Sequence, residues 1–162
     1  MLTNSRIAYH RHDHKRCINA ALSRARELCG ARKARLTPIR QTVLETIWAS
    51  HRPLGAYEIV DRMSQPGTSG HRVLPPTVYR AVQFLLDQGL IHRLSSLNAY
   101  IGCPFPGNHH SDFFLICRHC GSTAECSDDQ LDHAVKHAAG RANFQVASTV
   151  IEIVGICPEC QL

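Results

Sequence analysis

An α+β chain in two parts is predicted: a winged helix-turn-helix, then a small α/β domain closed by structural zinc. Three observations predict it. Helical patterns run helix, helix, turn, helix and then hairpin over residues 17–101. The charge changes sign, with 15 Lys/Arg against 6 Asp/Glu in residues 1–97 and 3 against 7 in residues 98–162, so a net +9 is followed by a net −4. Two C-x-x-C pairs, Cys117/Cys120 and Cys157/Cys160, frame the second part. The 162 residues suit one or two small domains, and 44% apolar with 19% charged residues is a globular composition. No apolar run approaches the length of a membrane span, and the N-terminus lacks a signal peptide's apolar stretch. A cytoplasmic location with no membrane partner is therefore expected. Disulfides are not expected there, so eight cysteines and eleven histidines need another use.

Residues 1–16 hold His10, His12 and His14 in alternation and read as a flexible, solvated arm. Residues 17–33 read as a helix with Ala20, Ala21, Ala25 and Leu28 among charges. Thr37-Pro38 opens a second helix, with Thr as N-cap and Pro at the first position, carrying Val43, Leu44, Ile47 and Trp48. Residues 51–55 break it, and a third helix over 56–63 carries Ile59, Val60 and Met63. The next begins near Pro76. On a wheel, Val78, Val82, Leu85 and Leu86 share one face, with Ala81 and Tyr79 at its edges and Arg80, Gln83 and Asp87 opposite. Phe84 falls among the polar residues and does not fit. Gly89 ends this helix, and Leu90–Leu94 and Ala99–Ile101 form a hairpin around SSLN.

The hairpin closes a domain over 17–101, and residues 102–111, rich in Pro and Gly, read as a linker. The domain over 112–162 opens with strands at 113–117 and 122–126. A helix capped by Ser127 with Gln130 as a capping box runs to about Ala139, and the β-branched run Val146–Ile156 is a further strand.

The strongest chemical signal is the four cysteines. Two residues between cysteines let both thiolates face one ion from a tight turn, and two such turns complete a tetrahedral sulfur set that suits zinc. A C-x-x-C oxidoreductase needs one reactive pair, not two. A looser group, His92, Cys103, His109, His110, Glu125 and Cys126, leaves a second metal site open on spacing alone. Cys17 and Cys29 read as packing residues, and His133 and His137 as part of a solvated helix face; His51, His71 and His119 carry no pattern. Enzymatic chemistry is not indicated, because H-x-E, H-E-x-x-H, G-x-x-x-x-G-K-[ST] and G-x-S-x-G are all absent.

LTPIRQTVLETI at 36–47, AYEIVDRM at 56–63, LPPTVYRAVQFLLDQGLIHRL at 74–94, FFLICRHCG at 113–121 and CPEC at 157–160 resemble the ferric uptake regulator family, most closely its zinc-responsive branch. That resemblance spans about residues 27–160. It implies a DNA-binding domain, an α/β dimerisation domain, and a homodimer on partly palindromic double-stranded operator DNA. It implies two zinc ions per subunit. One is structural, at Cys117, Cys120, Cys157 and Cys160; the other is a sensor ion at His92, Cys103, His110 and Glu125, with His110 preferred over His109 because it lies seven residues before Cys117. Cys103 favours zinc over iron, as a softer ligand than carboxylate. No small-molecule substrate other than metal is implied. Arg80, at the centre of the polar helix face, is expected to read bases, joined by Thr77, Tyr79 and Tyr57, with Arg35, Arg40 and Arg72 on phosphates. Repression of zinc-uptake genes is the implied outcome. The alternatives are a relative sensing another metal or peroxide, or a constitutive DNA-binding protein whose zincs are both structural.

Overall fold

The computed structural model describes residues 8–9, 13–65, 73–107 and 112–161. The chain divides into two compact units, one spanning Arg11–Asn108 and one made of Met1–His10 with His109–Leu162. Among the described residues, no helix is long and apolar enough to cross a membrane.

In the first unit, α1 (His14–Ala31) starts earlier than the sequence suggests, because the Asp13 carboxylate accepts the Lys15 N–H and caps it. Residues 14–16 are thus the first turn of a helix and not the end of an arm. The helix stops before residue 33, where Lys33 turns to φ 54° and Ala34 N–H returns to the Cys29 carbonyl. Its buried face is Ala21, Leu22, Ala25 and Cys29, so Cys29 is a packing residue as expected. α2 (Pro38–Trp48) follows. Thr37 has the extended N-cap backbone, but its side chain makes no capping bond, and Pro38 alone organises the start.

The stretch at 51–55 is more than a helix break. Its end is a strand, β1 (Leu54–Gly55). α3 (Ala56–Met63) opens with the Glu58 carboxylate accepting the Gly55 N–H at 3.0 Å. α4 (Pro75–Asp87) buries Val78, Ala81, Val82 and Leu85, while Leu86 is only half-buried. Phe84 finds its place because the Arg40 guanidinium lies 3.5 Å from its ring centroid, an arrangement that rewards a half-exposed aromatic ring. Gly89 adopts φ 66° to close the helix. The predicted hairpin is β2 (Ile91–Leu94) with β3 (Ala99–Gly102), in register His92↔Ile101. β1 adds to it through Leu54↔Tyr100, giving the order β1-β3-β2. Helices and sheet enclose one core centred on Leu44, Ile47, Leu54, Ile59, Leu85 and Ile91. Each fully buried Leu or Ile there contributes about 1.5–3 kcal/mol.

The second unit contains β4 (Asp112–Cys117), β5 (Thr123–Ser127), α5 (Asp129–Arg141), β6 (Ile151–Gly155) and a 3-10 turn at Pro158–Cys160. The sheet order is β5-β4-β6, with β4 antiparallel to β5 and parallel to β6. A parallel return needs a crossover, which α5 supplies. Its cap is Asp128, whose Oδ1 accepts the N–H groups of Gln130 and Leu131, and not Ser127. The β-branched run is strand only over 151–155, so residues 146–150 depart from the sequence reading. Tyr9 differs from a residue of a solvated arm: it packs with Phe113, Ala124 and Cys126 and donates to the Leu115 carbonyl at 2.7 Å. His10 and His12 lie outside the described residues.

Candidate metal centres and nucleic-acid face

The parallel pairing of β4 and β6 explains how cysteines so far apart in sequence meet. Both strands run to the same end of the sheet, and each leads into a C-x-x-C turn. Cys117 ends β4 opposite Gly155 of β6, and Arg118 N–H bonds to the Gly155 carbonyl at 2.9 Å. The first turn closes with Gly121 at φ 73° donating to the Cys117 carbonyl, and the second with Cys160 N–H on the Cys157 carbonyl. All four sulfurs lie within 4.8 Å of one another, and Cys120 Sγ is 3.7 Å from Cys157 Sγ. Tetrahedral zinc at its usual bond length holds sulfurs about 3.8 Å apart. The donor set therefore fits zinc in number, softness and spacing.

Backbone donors prepare the site. Cys117 is lowered to about 5, first by the Cys120 N–H and then by the Cys157 N–H, which approaches its sulfur at 3.4 Å. The Ser122 hydroxyl lowers Cys120. Burial raises Cys157, and Cys160, sharing a hydrogen bond with Cys157, is pushed up to about 12. Four adjacent thiols resist becoming four thiolates, and a divalent cation supplies the charge that lets all of them ionise. A cavity of about 120 Å³ beside the turns is lined by Tyr9, Leu115, Cys117, Ile153, Cys157 and Pro158. Nothing in the spacing of the N-terminal sequence signalled that Tyr9 would reach this place.

Of the second predicted set, His92 sits half-buried in β2 and Cys103 is buried just past β3, its N–H on the Leu90 carbonyl at 3.0 Å. A His92 ring nitrogen and the Cys103 sulfur lie within 4.8 Å. Strand pairing creates this pair: His92 is opposite Ile101, and Cys103 lies two residues further on, the diagonal neighbour on the same face of the hairpin. Trp48 covers the strand so closely that a Cβ on Gly102 would come within 2.2 Å of its indole, so only glycine fits there. Glu125 lies in β5 of the second unit, opposite Phe114, and is 4% exposed. Such deep burial of a carboxylate is costly without a counter-charge or a proton. His109 and His110 lie outside the described residues. Cys126 is buried against Tyr9 and Phe113, and burial followed by Glu125 raises its thiol, as suits a packing residue. His133 and His137 are exposed on α5, as expected.

The outer face of α4 presents Thr77, Tyr79 and Arg80 to solvent. Tyr57 on α3 is 78% exposed. The Tyr79 hydroxyl is shifted up, by burial first and then by the Tyr57 hydroxyl beside it. The two tyrosines thus form one surface with Arg80 on the neighbouring helix position. Arg35 is exposed ahead of α2. Arg40 lies over Phe84 and donates to the Arg35 carbonyl. Arg72 lies outside the described residues.

A family model described as "Ferric uptake regulator family" matches residues 31–154. The zinc uptake regulation protein of Escherichia coli (strain K12) is 34% identical over 142 residues, covering 86% of this chain and 80% of that protein. The solved structure of a zinc uptake regulator complexed with zinc and DNA superposes with a TM-score of 0.78 at 29% identity, over 93% of this chain and 97% of that one. Holo XcZur superposes with a TM-score of 0.75 at 36% identity, over 88% and 98% of the two chains.

Proposed function

Since the chain belongs to the ferric uptake regulator family, whose members are DNA-binding transcription regulators and not enzymes, we propose that it is a cytoplasmic, homodimeric repressor that binds operator DNA when loaded with zinc. Two ions per subunit serve it. Cys117, Cys120, Cys157 and Cys160 hold the structural ion. His92, Cys103, His110 and Glu125 hold the sensor ion. The observation that carries the zinc reading is the His92–Cys103 pair, an imidazole and a thiol within 4.8 Å inside the DNA-binding unit. Borderline-soft zinc favours that donor combination over the harder ions.

The ligand set draws on residues far apart in sequence, so an ion holding it removes conformational freedom from the chain that carries them. A DNA-binding unit with less freedom loses less entropy when it docks. Zinc thereby shifts the population toward the binding-competent form, and operator DNA reciprocally tightens zinc. α4 serves as the recognition helix, with Arg80 on a guanine edge, Thr77, Tyr57 and Tyr79 beside it, and Arg35, Arg40 and Arg72 toward phosphates. The dimer reading is supported by β6, an edge strand whose Ile153 and Val154 are 43% and 60% exposed, with Val150 and Phe144 of the same unit also exposed. Such an apolar edge is a liability in a monomer. Repression of zinc-uptake genes follows from this mode of action.

The test is binding to operator duplexes, selected from a random pool, against buffered free zinc. Affinity should rise with zinc and be restored by neither iron nor manganese. Zinc-independent binding marks a constitutive DNA-binding protein, and a response to another metal or to peroxide marks a different sensor; either overturns the zinc reading.

A further inference from the structure

His14 opens α1, and His51 lies in the turn between α2 and β1. Their imidazole centroids are 5.1 Å apart, with ring planes tilted by 47°. Zinc binds an imidazole nitrogen at about 2.0–2.1 Å with near-tetrahedral angles, which sets two rings on one ion roughly 5 Å apart. The tilt departs from the parallel arrangement of stacked rings. Cys17 lies one turn after His14 on the same side of α1, and all three residues are half-buried. Trp48 stands edge-on to His51, with centroids 6.5 Å apart at 76°, and shields that side from water.

We propose that His14 and His51, with Cys17 as third ligand, form a further binding site for a divalent ion of the zinc class within the DNA-binding unit. Imidazole and thiolate donors select such an ion over magnesium or calcium. The imidazoles are already paired; the Cys17 sulfur does not yet form a triad with them within 4.8 Å, so it would complete the site by a change of rotamer. A fourth position is left for water. The ion would clip the start of α1 to the α2–β1 turn. Trp48 lies next to that clip and against Gly102, the residue before Cys103. The site is thus one side chain away from the strand that leads into Cys103, yet it does not depend on the sensor reading.

Zinc content of the full-length protein, equilibrated at buffered micromolar free zinc, tests the site. His14→Gln and His51→Gln should each lose one equivalent while keeping the four-cysteine zinc. Cys17→Ser should weaken that equivalent by roughly 100-fold. The same loss should appear when each change is made in a Cys103→Ser protein, which separates this site from the sensor. With cobalt in place of the exchangeable zinc, Cys17→Ser should diminish the thiolate-to-cobalt charge-transfer band. Unchanged zinc content in both glutamine variants overturns the proposal. So does a loss in His14→Gln that His51→Gln, placed in a turn where it does not disturb α1, fails to share.

Discussion

The four cysteines at the ends of β4 and β6 and the His92–Cys103 pair at the end of β2 and β3 are both held by strands, but the strands act differently. At the first site, each pair of ligands is fixed by its own two-residue turn, and the parallel pairing only has to bring two finished turns together. At the second, no local motif exists. His92 and Cys103 become neighbours through antiparallel register alone, and a one-residue slip would turn His92 to the other face. A site made of closed turns with four thiolates suits permanent binding. One made of two residues on a hairpin needs ligands from elsewhere and suits reversible binding.

Removing one of the four cysteines should have the largest effect. Structural zinc supplies about 10–16 kcal/mol of apparent binding free energy in small domains, comparable to the whole stability of a unit this size. Cys117→Ser should release tightly held zinc and abolish cooperative unfolding of the second unit, read by circular dichroism and metal analysis. A folded, zinc-containing variant would erase the distinction between the two sites.

Cys103→Ser should do the reverse. The fold and the four-cysteine zinc should survive, while the zinc-dependent gain in DNA affinity, expected at roughly 5–150-fold for a coupling of this kind, should vanish. Operator titrations at high and low free zinc check it. Unfolding, or an intact zinc response, would show that the hairpin pair is structural.

Arg80→Ala probes the surface the metal is proposed to control. The expected loss is about 1–3 kcal/mol of operator affinity, with relaxed preference at one base pair. Tyr57 and Tyr79 variants should lose less, since their hydroxyls already interact with each other. Equal loss on operator and unrelated DNA would demote Arg80 to a phosphate contact.

The same contrast explains what could be seen in the sequence. The C-x-x-C pairs were legible because their geometry is local, and the helical stripes of α2, α3 and α4 because burial has a 3.6-residue period. Leu54–Gly55 was not, because two residues carry no period and become a strand only through pairing with β3. Phe84 looked misplaced because its partner, Arg40, comes from another helix. Tyr9 looked solvated because the sheet that receives it lies more than a hundred residues away. The pairing of His14 with His51 was hidden for the same reason.

The smallest effect concerns a place where a local signal misled. Ser127 with Gln130 has the sequence of a capping box, yet Ser127 is the last residue of β5 and its backbone is committed to the sheet, opposite Asp112. The next residue is the first able to turn away, and Asp128 takes the cap with two N–H bonds at 2.8 and 3.1 Å. A carboxylate at this position also meets the positive end of the helix dipole. Asp128→Ala should therefore destabilise the second unit by about 1 kcal/mol, and Ser127→Ala by far less. α5 buries no side chain fully within its unit, so its stability leans on this cap more than that of a core helix would. Denaturant unfolding of the zinc-loaded variants measures both changes, and the zinc content of each should stay at the wild-type value. A larger loss from Ser127→Ala would mean that the cap moves back into the strand. Loss of zinc in Asp128→Ala would mean that the two turns depend on α5 as well as on the pairing of β4 with β6.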